Sequence, residues 1–330
     1  NTDLSLDSLS GQLAYDLNHI TARDLSLNIP SQTININNAS FDARLSGKLS
    51  EPSSLGINLK SFQARTDSCV FYGSAEIQNL KAPGFNITGN VKLNLGEIKD
   101  ILPDTLVNKL SGEITAQIAS AGKLNLDSIP GQIKDLVFKN STFHIDFNKV
   151  SLEMPDTLIS VNRFSGKLHM KPDTIIINNT NGIYSGIDFS IDSTKIMNLY
   201  NSVIKNQASR LYIEGRFGLG DLDYSNFTQF IAVKNADASV TSPENKDTSA
   251  TERTGTAGPN YTFSIKGKLR VKSLTYNKAV MENISGLFKI SDSLYLVDQL
   301  SFNGFDGNLN TSVRYEIRHE NEEMLWVKNI

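Results

Sequence analysis

Apolar and polar positions alternate with a period of two along most of this chain. Phe41, Ala43, Leu45, Gly47 and Leu49 alternate with Asp42, Arg44, Ser46 and Lys48. The same texture returns at Ile87–Leu95, at Phe143, Ile145 and Phe147, at Ile187, Phe189 and Ile191, and at Leu211–Leu219. It is clearest late in the chain. Tyr261, Phe263, Ile265, Gly267, Leu269 and Val271 face one way, against Thr262, Ser264, Lys266, Lys268, Arg270 and Lys272. Phe305, Gly307, Leu309, Thr311, Val313, Tyr315 and Ile317 repeat the pattern. Successive strand side chains point to opposite faces, so each run predicts a strand with one apolar and one wet face. Parallel strands covered on both faces would read as continuous apolar runs instead. The expectation is therefore an antiparallel, one-sided sheet.

Helical spacing is confined to short stretches. Ser193–Gln207 places Ile196, Leu199, Tyr200, Val203 and Ile204 on one stripe, with Asp192 or Ser193 available as the N-cap. Residues 97–110 predict a second helix that Pro103 splits into two turns, and Tyr224–Val233 adds a brief third. Lys234–Asn260 has Val240 as its one sizeable apolar residue, too little to offset ordering entropy, and predicts a flexible polar insertion. It separates a β-region over 1–233 from a C-terminal β-region over 261–330. The step Ser-Gly recurs at 46–47, 111–112, 165–166 and 285–286. Glycine inside a strand marks bends and bulges, and repeated bends would curl a one-sided sheet around its apolar face.

Composition narrows the function. The 330 residues carry 32 Lys+Arg against 35 Asp+Glu, which supplies no basic field for nucleic acid. One cysteine, Cys69, excludes an intramolecular disulfide framework and multi-cysteine metal sites, and is expected as a small buried hydrophobe. His19, His144, His169 and His319 lie far apart without metal-ligand spacing, and strand parity turns His144 outward. No phosphate loop, nucleophile elbow or calcium loop is present, so neither catalysis nor a cofactor is expected. Acidic pairs such as Asp221 and Asp223 read as turn residues. The row Lys266, Lys268, Arg270, Lys272 could meet anionic headgroups, but the commoner role is a solvated strand face that blunts edge pairing. The opposite, apolar face must be covered by another layer or by something other than protein.

The segment Lys266–Glu316 resembles the C-terminal region of the AsmA family of bacterial envelope proteins. The likeness rests on the turn Met281-Glu282-Asn283-Ile284-Ser285-Gly286, the strand Asp292-Ser293-Leu294-Tyr295-Leu296, and the step Phe302-Asn303-Gly304-Phe305-Asp306-Gly307-Asn308-Leu309. Upstream, Leu95–Pro103 with Leu110-Ser111-Gly112-Glu113-Ile114 looks like the family's strand–helix unit, and Gly218–Tyr224 like a weaker copy. The richness in Asn resembles Bacteroides-type envelope proteins. The resemblance implies a long curved β-sheet with an apolar trough, similar to TamB-like proteins, in the periplasm. It also implies an inner-membrane anchor preceding this piece, and a role in outer-membrane assembly by carrying phospholipid. The lipid-facing candidates are Phe263, Ile265, Leu269, Val271, Phe305, Leu309, Val313 and Tyr315. The expected partner is phospholipid or another acyl-chain lipid, with envelope assembly proteins as further partners. Two other readings are an envelope scaffold or adhesin-like domain with closed apolar faces, and a carbohydrate-binding β-solenoid. Against the last, Trp326 is the single tryptophan.

Overall fold

The computed structural model describes residues 8–29, 34–48, 50–103, 105–126, 129–155, 160–224, 260–317 and 323–328. Strands take 73% of the described residues, so the protein is mainly β, with three short helices among the described residues. By packing, the chain divides into Asn1–Gly186 and Ile187–Ile330.

The first unit is a meander of ten strands that pair in sequence order. They are β1 (Ser8–Asp16), β2 (His19–Ile29), β3 (Ile34–Ser46), β4 (Gly56–Arg65), β5 (Val70–Gln78), β6 (Gly84–Asn94), β7 (Lys109–Lys123), β8 (Ser141–Glu153), β9 (Ser160–Lys171) and β10 (Thr174–Tyr184). Every pair is antiparallel, as the alternation requires. Helix α1 (Leu95–Ile101) follows β6. Asn94 caps it by accepting from the Gly96 amide at 2.9 Å, and Leu95 is buried beneath it. Pro103 ends it, and Leu110 belongs to β7 rather than to a second helical turn. Helix α2 (Ile129–Lys139) is not among the helices expected from the pattern; Pro130 and Gly131 fall in its first turn. Proline is tolerated in a first helical turn, where its missing N–H bond is not needed.

The second unit holds β11 (Ile187–Met197), a π-helical turn α3 (Tyr200–Ile204), β12 (Arg210–Asp223), β13 (Thr262–Tyr276), β14 (Ala279–Ser291), β15 (Leu294–Gly304), β16 (Gly307–Ile317) and β17 (Glu323–Lys328). Of the helix read over 193–207, the first third belongs to β11, which runs to Met197, and the chain coils only over 199–204. One pairing departs from the antiparallel expectation. β12 and β13 run parallel, from Arg210↔Thr262 to Asp223↔Thr275. A parallel pair needs a crossover of a dozen residues or more. The polar stretch falls inside the connection 224–261, which carries the chain back along the strand. Residues 225–233 and 234–259, including most of that insertion, lie outside the described residues.

The Ser-Gly steps acquire a structural meaning. Between Ser111 and Glu113 the β7–β8 ladder slips, and on β8 Lys149 takes a left-handed conformation, φ 50°. A side chain at Gly112, itself at φ 102°, would stand 2.7 Å from Val150 Cα. The Lys149 amide donates to Ser165 Oγ on β9 at 2.9 Å. The next step repeats two strands on, where a Cβ at Gly166 would meet Thr180 Cα at 2.7 Å beside the left-handed Asn179. Ser285-Gly286 faces a similar break at Gln299. The glycine makes room for the neighbour's bulge; the displaced amide is satisfied by a serine of the next strand at Lys149 and by the adjacent Asp298 carboxylate at Gln299. Each bulge bends the strand and tightens the local twist.

Candidate lipid-binding face

Register in the second unit decides which side chains share a face. Val271 pairs with Leu219 and with Ile284, and Leu219 pairs with Phe189. One row crosses all seven strands: Ile196, Ile213, Ile265, Ile290, Tyr295, Tyr315 and Leu325. A neighbouring row runs Gly215, Gly267, Phe288, Val297, Val313 and Val327. Direct contacts agree, with Phe217 and Phe288 rings 5.8 Å apart and Tyr295 and Tyr315 also at 5.8 Å. Phe263, Ile265, Leu269, Val271, Leu309, Val313 and Tyr315 therefore lie on one face of one sheet. Sequence parity alone left them as two separate faces.

Phe305 is a correction. It sits with Asp306 in the two-residue turn between β15 and β16, both at positive φ (53° and 57°), and it is 76% exposed. A two-residue hairpin with left-handed residues at both central positions takes Phe305 out of the strand, and its parity with Leu309 loses meaning. The row has members the candidates missed: Tyr295 and Val297 on β15, Leu325 and Val327 on β17. Tyr295-Leu296-Val297 is an unbroken apolar run and β17 is short, so neither shows clean alternation.

Most of this face is only half-buried. Of the seven candidates on it, Val271 alone is buried, at 6% exposure, while Tyr295 is 40% and Leu325 66% exposed. Within the second unit the strands pack substantially on their sequence neighbours. Only eight apolar side chains are buried among the described residues of the whole chain. A closed sandwich interior would bury most of its large inward side chains. The first unit shows the same one-sided rows, for instance Ala43–Leu59–Ala75–Ile87 and Ile114–Phe147.

The opposite face of the second unit is charged. Lys266 pairs with Glu214 at 3.0 Å, Lys272 with Asp221 at 2.7 Å, and Arg216 with Asp192 at 3.6 Å. The Lys272 ammonium and Ser273 hydroxyl beside Asp221 hold its carboxyl below the usual range, and Asp221 in turn raises Lys272. The basic row is thus interleaved with carboxylates from β12, the pattern of a solvated strand face. Between the strands, Gly218 and Gly220 leave a groove of about 640 Å³ bordered by Asp188, Arg270 and Lys272.

Chemistry elsewhere is sparse. Cys69 is 2% exposed, its sulfur accepts from the Asn94 amide at 3.3 Å, and burial pushes the thiol up, away from nucleophilic use. His19 contacts Asp42 at 2.9 Å, and that hydrogen bond draws the Asp42 carboxyl down. Among the described residues no three His, Cys, Asp or Glu gather as metal ligands, and no helix is long and apolar enough to cross a membrane. His319 lies outside the described residues. The chain matches no family model, no curated protein and no solved structure.

Proposed function

We propose that this chain is an AsmA-like protein of the periplasm, held at the inner membrane by an anchor outside this sequence, that binds and conducts phospholipid in support of outer-membrane assembly. One observation carries the reading. The register assembles a continuous apolar face seven strands wide whose large side chains stay half-buried. Seven strands at about 4.8 Å spacing give a width near 30 Å. Fully covering a large apolar side chain contributes about 1.5–3 kcal/mol, so a face of this size favours an apolar cover. Acyl chains supply one without requiring hydrogen bonds. The salt-bridged opposite face suits water. No catalytic step and no cofactor enter this reading.

The test uses lipid extracted from the purified protein and identified by mass spectrometry. Leu269→Glu or Val313→Glu should abolish lipid co-purification while the melting temperature barely moves, because lipid rather than protein covers those positions. Asn310→Glu, on the opposite parity, should change neither. If every apolar-face substitution unfolds the protein and none releases lipid alone, the face is closed core. The scaffold or adhesin reading would then replace the carrier.

A further inference from the structure

His144 and His169 are 25 positions apart in sequence, yet β8 and β9 set them directly opposite each other. Their rings stack with centroids 3.9 Å apart and planes inclined by 27°. They occupy the polar face, since the flanking Phe143–Met170 and Ile145–Leu168 pairs point to the other side. His144 is exposed and His169 half-buried, so an ion can reach both from solvent. The charged groups on the same face are Asp146 on β8 and Lys167 and Lys171 on β9. Asp146 meets Lys167 at 3.7 Å. The register adds the neutral Thr115 and Gln117 from β7 and Thr174, Ile176 and Asn178 from β10.

We propose that His144 and His169 form a two-imidazole chelate for a borderline divalent transition ion such as Cu²⁺, Ni²⁺ or Zn²⁺. Two metal–nitrogen bonds of about 2.0–2.1 Å bring their nitrogens roughly 3–4 Å apart; the backbone pairing of His144 with His169 allows this once the rings leave the stack and turn about their side-chain bonds so that their in-plane lone pairs converge. The sheet fixes the spacing in advance, so little is lost in assembling the pair. Imidazole binds the metal only when neutral. Partial burial, then the neighbouring His144 and Lys171, hold His169 below its usual protonation range. Two protein ligands leave the remaining positions to water, with the Asp146 carboxylate next along the same strand face. This arrangement holds a bound ion in reach of solvent rather than a sealed structural metal.

The test titrates CuCl₂, NiCl₂ or ZnCl₂ into untagged full chain at pH 7.5 by calorimetry, with electron paramagnetic resonance on the Cu²⁺ complex. One equivalent should bind, with Cu²⁺ tightest and hyperfine coupling from two nitrogens. His144→Gln and His169→Gln should each weaken binding at least about tenfold, or 1.4 kcal/mol, with the melting temperature unchanged. His19→Gln should bind as the parent does, and binding should fade as the pH drops to about 5.5. Unchanged affinity in both His144→Gln and His169→Gln, or no binding by the parent chain, would overturn the assignment.

Discussion

Shortening the β12–β13 connection tests the parallel pairing at the centre of the second unit. From Arg210 to Asp223 the strand rises thirteen steps, about 43 Å at roughly 3.3 Å per residue. The chain leaving Asp223 must return that distance to reach Thr262, which lies beside Arg210. It must also clear the sheet's side chains, about 5 Å out and 5 Å back, half the usual spacing between packed sheets each way. The path is then roughly 50 Å or more. The 38 residues 224–261 reach well over 100 Å at about 3.3–3.6 Å each. Removing 240–253 leaves ample reach, and loop closure becomes about 0.4 kcal/mol easier. Removing 234–259 leaves twelve linking residues with a limit of about 47 Å. Both deletions keep Asn260, whose amide donates to Asn206 Oδ1 at 2.9 Å, so that anchor is not a variable. The shorter deletion should melt within a degree or two of the parent. The longer one should open register pairs at the ends of β12 and β13, read as lost hydrogen-exchange protection at 221–223 and 262–264. Full protection in the 234–259 deletion would refute the parallel register.

Two further outcomes follow from local geometry. Gly112→Ala should cost about 3 kcal/mol or more, because its φ of 102° is left-handed and the Lys149 carbonyl oxygen lies 2.6 Å from the new Cβ. Gly84→Ala, with nothing nearer than 4.0 Å, should be neutral to about 1 kcal/mol stabilising in denaturant melts. Asp221 has a folded-state pKa below its ordinary 3.8, so it binds fewer protons folded than unfolded. Its contribution is present above that value and is lost as pH falls through the depressed one. Asp221→Asn should therefore melt lower than the parent at pH 6, and the two curves should converge by about pH 2; a gap independent of pH would mean that the Lys272 contact is not the cause.

Much of this molecule is legible from residue types alone, for a physical reason. A strand's side chains alternate whatever its partners are, so Phe263, Ile265, Leu269 and Val271 declare a shared face without any knowledge of their neighbours. Three of the four Ser-Gly steps likewise mark breaks in the ladder, opposite the left-handed Lys149, Asn179 and Gln299. Pairing is non-local, and the sequence does not carry it. Only the register joined the β13 and β16 runs into one surface, brought in Tyr295 and Leu325, and set β12 parallel to β13. Turn geometry removed Phe305, since two left-handed residues between Gly304 and Gly307 override an alternation that runs smoothly through them. The same cause joined His144 to His169. Spacing along the chain says nothing of two side chains that meet only because adjacent strands place them about 5 Å apart.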